Sequence, residues 1–167
     1  MTRRLIAALL AATLLASPAL AQDHSGHAPA EVTIGTIAIT GVFSRATLPN
    51  APVGAGYLTL ANSGAEDDRL IAAASSAAPA VQIHSMEIVD GVMKMRQVEG
   101  GLVIPAGGSV DLSPDGGYHL ILMRPNPPLV EGESFALTLT FEKAGDITID
   151  VPIAGVSADA PSGGHSH

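Results

Sequence analysis

The chain has 167 residues, with 16 Asp+Glu against 8 Lys+Arg, a formal net charge of −8 and no cysteine. The acidic balance opposes binding to nucleic acid and to anionic lipid. The missing thiol excludes disulfides, cysteine nucleophiles, Cys-based zinc sites, iron–sulfur clusters and blue-copper centres.

Arg3 and Arg4 precede an apolar run over residues 5–15, and Ala19-Leu20-Ala21 supplies a small-x-small pattern. This predicts a secretory signal peptide over 1–21, cut before Gln22, because the apolar run is too short to span a bilayer. Cleavage leaves 146 residues, enough for one domain, with six Lys+Arg against 16 Asp+Glu and a net charge of −10. No membrane insertion of the mature protein is expected. Residues 22–30 (QDHSGHAPA) read as a flexible tail carrying His24 and His27. Residues 156–167 read as a second tail carrying His165 and His167.

Between the tails, 31–155 reads as a single all-β domain. Strands are predicted over 32–39, 42–46, 56–61, 69–73, 81–89, 92–98, 109–112, 118–124, 134–141 and 147–153. Turn residues separate them, among them Asn62-Ser63-Gly64, Asp90-Gly91 and Asp115-Gly116-Gly117. Many short strands with regular turn punctuation argue for an antiparallel β-sandwich or barrel. The segment FALTLTF over 135–141 alternates with period two, as a half-buried strand does.

Apart from Met1, all the methionines (Met86, Met93, Met95 and Met123) lie within 86–123, together with His84 and His119. Asp90-Gly91 is a strong signal for a two-residue hairpin turn. With that turn Val89 opposes Val92, Met86 opposes Met95, Ile88 opposes Met93, and His84 is a diagonal neighbour of Met95. Side chains alternate across a strand, so His84, Met86, Met93 and Met95 share one face, while Glu87/Lys94 and Ser85/Arg96 share the other. A slip of one residue would undo this arrangement. Thioether and imidazole donors suit the soft ion Cu(I), and a set without Cys suits an oxidising compartment. Methionine also fills irregular core gaps, so spacing alone fits core packing as well as metal binding.

The chain resembles the periplasmic copper chaperones called the PCu(A)C family. The resemblance rests on Ser44-Arg-Ala-Thr, the run from Gly56 to Ala65, Ile83-His-Ser-Met86, Gly91-Val-Met-Lys-Met-Arg96, Val98-Glu-Gly-Gly-Leu102, Ile104-Pro-Ala-Gly-Gly108, Gly117-Tyr-His-Leu120 and the run from Phe135 to Gly145. It implies a cupredoxin-like, antiparallel Greek-key β-sandwich that carries Cu(I) toward the copper centres of cytochrome c oxidase. The implied partner is a copper acceptor, either an oxidase subunit or another copper chaperone. The family's ligand pattern is H-x10-M, a spacer of about 21 residues, then H-x-M. His84 and Met95 match its first half, and His119 follows after a spacer of 23. Ile121 then stands where the family has its second ligand methionine, and Met123 lies two residues further on. The candidate ligands are therefore His84, Met86, Met95, His119 and Met123, with Met86 favoured over Met123 as the fourth.

The tail histidines His24, His27, His165 and His167 suit weak Cu(II) binding, because flexible imidazoles lack a thioether partner. No nucleophile–base set or phosphate loop is evident, so a carrier is expected rather than an enzyme. The alternatives are a periplasmic copper store or buffer, and a metal-free β-sandwich that binds a protein partner.

Overall fold

A computed structural model describes residues 31–161. The signal peptide expected over 1–21 and the tail over 22–30 lie outside the described residues, as do 162–167. Eleven strands follow one another: β1 (Val32–Ile34), β2 (Ile37–Arg45), β3 (Val53–Asn62), β4 (Asp68–Ser75), β5 (Ala78–Val89), β6 (Val92–Gln97), β7 (Leu102–Ile104), β8 (Ser109–Leu112), β9 (Tyr118–Met123), β10 (Ser134–Phe141) and β11 (Gly145–Ala154). Among the described residues there is no helix, and hence none long and apolar enough to cross a membrane.

The strands do not form the two stacked sheets of the expected sandwich. They pair as one sheet, β6-β5-β9-β8-β3-β2-β11-β10-β4-β7, and an additional β4–β5 pairing closes it into a barrel of eight strands. Closure satisfies the backbone donors and acceptors that open sheet edges would leave unpaired. Nor is the pairing wholly antiparallel, since β11 runs parallel to β2 and β8 parallel to β9. β1, β6 and β7 are appended outside the ring.

The interior is built by period-two alternation. In β10, Leu137, Leu139 and Phe141 are buried while Phe135, Thr138 and Thr140 are less so. Ile37, Ile39, Leu58, Leu60, Leu70, Ile104, Leu120 and Val151 complete one continuous core. Burying each such side chain contributes about 1.5–3 kcal/mol relative to leaving it in water.

Three differences from the sequence reading have local causes. The strand expected over 32–39 is two strands, because Gly35 takes a positive φ of 55° and turns β1 back onto β2. The strand β7 was not expected, since three residues are too few to display a period. β2 runs through Gly41, whose φ of 61° accompanies an extra residue between Thr40 and Phe43. That bulge reverses the facing of the residues after it. Phe43 thereby leaves the core set of Ile37 and Ile39 and pairs with Tyr57, their rings 4.9 Å apart.

The beginning of the expected C-terminal tail, 156–161, is held by the barrel. Arg45 Nε donates to the carbonyl of Ala158 at 2.8 Å, and its Nη2 pairs with the Asp159 carboxylate at 2.8 Å. The same guanidinium lies over the Tyr57 ring, 5.5 Å from its centroid.

Candidate metal centre

β5 is the pivot. Its first half pairs with β4 and its second half with β6, while β9 runs along its other edge over Ala80–Ser85. The β5–β6 register is the one expected from a two-residue turn: Val89 opposes Val92, Ile88 opposes Met93, and Met86 opposes Met95. Asp90 and Gly91 both have positive φ, 54° and 75°, which is the backbone of a type I′ turn and explains why Asp-Gly stands there. On the opposite edge His84 is directly across from His119.

These pairings gather two imidazoles and two thioethers on the outer face of the barrel. The rings of His84 and His119 stack with centroids 6.2 Å apart and 24° between planes. His119 Nε2 lies 3.3 Å from Met95 Sδ. Met86 is Met95's direct cross-strand neighbour. Its N–H donates to the carbonyl of Gly117 at 2.7 Å, which ties the loop leading into β9 to β5 beside the site.

Exposure falls steeply across this group. Met95 is 53% exposed and His119 only 5%. Burial pushes both imidazoles below their ordinary pKa, and for His119 the neighbouring His84 adds to the effect. Both are therefore neutral at neutral pH, with a lone pair free on each ring. His84 Nε2 contacts Gln82 Oε1 at 2.9 Å, and His84 Nδ1 is buried without any hydrogen-bond partner. Among the described residues there is no cluster of three or more His, Cys, Asp or Glu side chains. The donors that do converge are neutral nitrogen and thioether sulfur, a set that matches a soft monovalent ion better than Zn(II) or Ca(II).

Not every candidate is brought here. Met123 ends β9 and is paired with Ala80 and Val53. It lies two strand steps from His119, about 13–14 Å along the chain. Ile121 fills the position between them, buried and directly across from Gln82. His24, His27, His165 and His167 lie outside the described residues. Gln82 was missed from sequence, although its period-two relation to His84 on one strand would have found it.

Comparison with known proteins gives a consistent picture. Residues 37–153 match the LpqE-like family, which is described as a lipoprotein family. Lxx21020 of Leifsonia xyli subsp. xyli, also carrying a lipoprotein name, is 32% identical over 159 residues, covering 93% of each chain. Among solved structures, the copper-bound PCuAC domain from PmoF2 superposes with a TM-score of 0.64 at 28% identity, covering 75% of this chain and 98% of that one. The Cu(I) form of DR1885 from Deinococcus radiodurans gives 0.54 at 26% identity, over 74% and 80%.

Proposed function

The chain belongs to the LpqE-like family, and from that premise we propose that it is an extracytoplasmic Cu(I) carrier rather than an enzyme. One observation carries the reading. An imidazole nitrogen and a thioether sulfur stand 3.3 Å apart beside a second imidazole whose buried Nδ1 has no partner. A thioether is a poor hydrogen-bond acceptor, and a buried lone pair without a donor is costly. A soft cation satisfies both at once.

The proposed ligands are His84, Met86, Met95 and His119. Neutral donors need not lose a proton before binding, so the site takes up Cu(I) at neutral pH without competition. The reading includes export to the periplasm by the leader over 1–21 and a cupredoxin-like Greek-key description of the barrel. It also includes transfer of copper toward cytochrome c oxidase centres, directly or through another chaperone. The lipoprotein name of the relatives does not extend to a cysteine-linked lipid here, since these 167 residues contain no cysteine. Weak Cu(II) binding at His24, His27, His165 and His167 is a separate part of the proposal.

The test is an anaerobic Cu(I) titration of the mature protein against a competing chelator. One tight equivalent that passes to an apo acceptor domain supports a carrier. Several weak equivalents support a copper buffer, and none supports a metal-free interaction module.

A further inference from the structure

Gln82 stands outside every ligand motif of the sequence, yet it makes the sole side-chain hydrogen bond that His84 has among the described residues. It shares the outer face of β5 with His84, one period-two step away. Its Oε1 meets His84 Nε2 at 2.9 Å. A carbonyl oxygen only accepts, so the neutral imidazole places its proton on Nε2 and leaves the lone pair on Nδ1. Nδ1 is the nitrogen that is buried and without a partner.

We propose that Gln82 is a positioning residue for the metal centre: by accepting the Nε2 proton of His84 it holds the ring in one tautomer and orientation and presents Nδ1 as the copper-binding nitrogen. The inference rests on the Cu(I)-carrier reading and assigns a specific atom within it. Second-sphere acceptors commonly orient metal-bound histidines in this way. The cross-strand neighbour of Gln82 is Ile121, 7% exposed. The position where the chain departs from the H-x-M pattern therefore stands beside the residue that contacts His84. His119, by contrast, directs Nε2 at Met95, so the two imidazoles offer different ring nitrogens to one ion.

The experiment uses the mature protein and two variants, Gln82→Leu and Gln82→Glu. In the apo protein, nitrogen-15 NMR of the imidazoles reads which nitrogen of His84 carries the proton. Wild type and Gln82→Glu are expected to show Nε2–H, and Gln82→Leu to lose that preference while the His119 signals stay unchanged. In the anaerobic Cu(I) titration, Gln82→Leu should weaken binding by roughly ten- to a hundred-fold, with Gln82→Glu within a few-fold of wild type. An apo wild type with the proton on Nδ1 overturns the proposal. So does a Gln82→Leu variant that keeps either the tautomer or the wild-type affinity. His84→Ala is the reference: if it binds Cu(I) as tightly as wild type, His84 is not a ligand and the carrier assignment fails at this residue, independently of the tautomer result.

Discussion

His119 Nε2 reaches Met95 Sδ at 3.3 Å although the whole of strand β5 runs between the strands that carry them. Neighbouring strands are about 4.8 Å apart, so β9 and β6 are separated by roughly 10 Å of backbone. Two long side chains leaning over the same face close that gap. On the strand between, His84 is across from His119 and Met86 across from Met95. The centre is thus a three-strand device, and each strand supplies a different part of it.

Met86 and Met123 make opposite predictions. Met86→Leu and Met123→Leu nearly conserve volume and remove only the sulfur. Met86→Leu should weaken Cu(I) binding by tenfold or more, about 1.4 kcal/mol, and Met123→Leu should leave it unchanged. The chelator-competition titration measures both. The reverse pattern would show that the strand bends enough for Met123 to serve as the ligand.

Copper binding and apo stability should both depend on pH through the two imidazoles. Their folded pKa values are lowered by burial, so the unfolded chain takes up protons first. The stability they permit is fully present above the ordinary histidine value of about 6.5. It is lost as pH falls through the lower folded values. Cu(I) affinity, which follows protonation of the folded apo protein, should be flat from pH 8 through about 6.5 and decline only as pH falls through the lowered folded values. Thermal melts and chelator titrations between pH 4.5 and 8 check it, and in a His84→Ala/His119→Ala double variant the melt's dependence over this range should flatten. A wild-type affinity that already falls between pH 8 and 7 would count against neutral buried ligands.

Asp68, the first residue of β4, holds the β10–β11 turn. It is 5% exposed and accepts the backbone N–H groups of Arg69, Lys143 and Ala144 at 2.7, 2.9 and 3.0 Å. Burial alone would raise its pKa, but these donors outweigh burial and lower it. Asp68→Ala should cost about 2–3 kcal/mol by orphaning buried donors at the β10–β11 turn. Urea unfolding measures it, and Cu(I) affinity of the folded variant should match wild type. The Asp68 contribution is present above the unfolded carboxylate value and is lost as pH falls through the folded one.

Deleting 162–167 removes His165 and His167 while keeping the last ion pair among the described residues, Arg45–Asp159. This truncation should abolish part of the Cu(II) signal seen by electron paramagnetic resonance and leave Cu(I) affinity intact. Loss of Cu(I) binding on truncation would show that the two ions do not have separate ligands.

What the sequence determined by itself was the local part of the design. The Asp90-Gly91 turn and the alternation on either side of it specify the β5–β6 register, because a type I′ turn sets its own cross-strand pairs. That alone placed Met86 against Met95. The strand rhythm likewise disclosed an all-β domain. Only the tertiary structure decided that His119 sits across from His84, 35 residues away in the chain, that β4 meets β5 to close a barrel instead of leaving two sheets, and that the Gly41 bulge turns Phe43 onto Tyr57. It also brought residues 158–159 back onto Arg45. The reason is physical: a turn's geometry is set by the few residues within it, whereas the order in which distant strands pair depends on loop closure and on burying all the apolar faces of the chain at once.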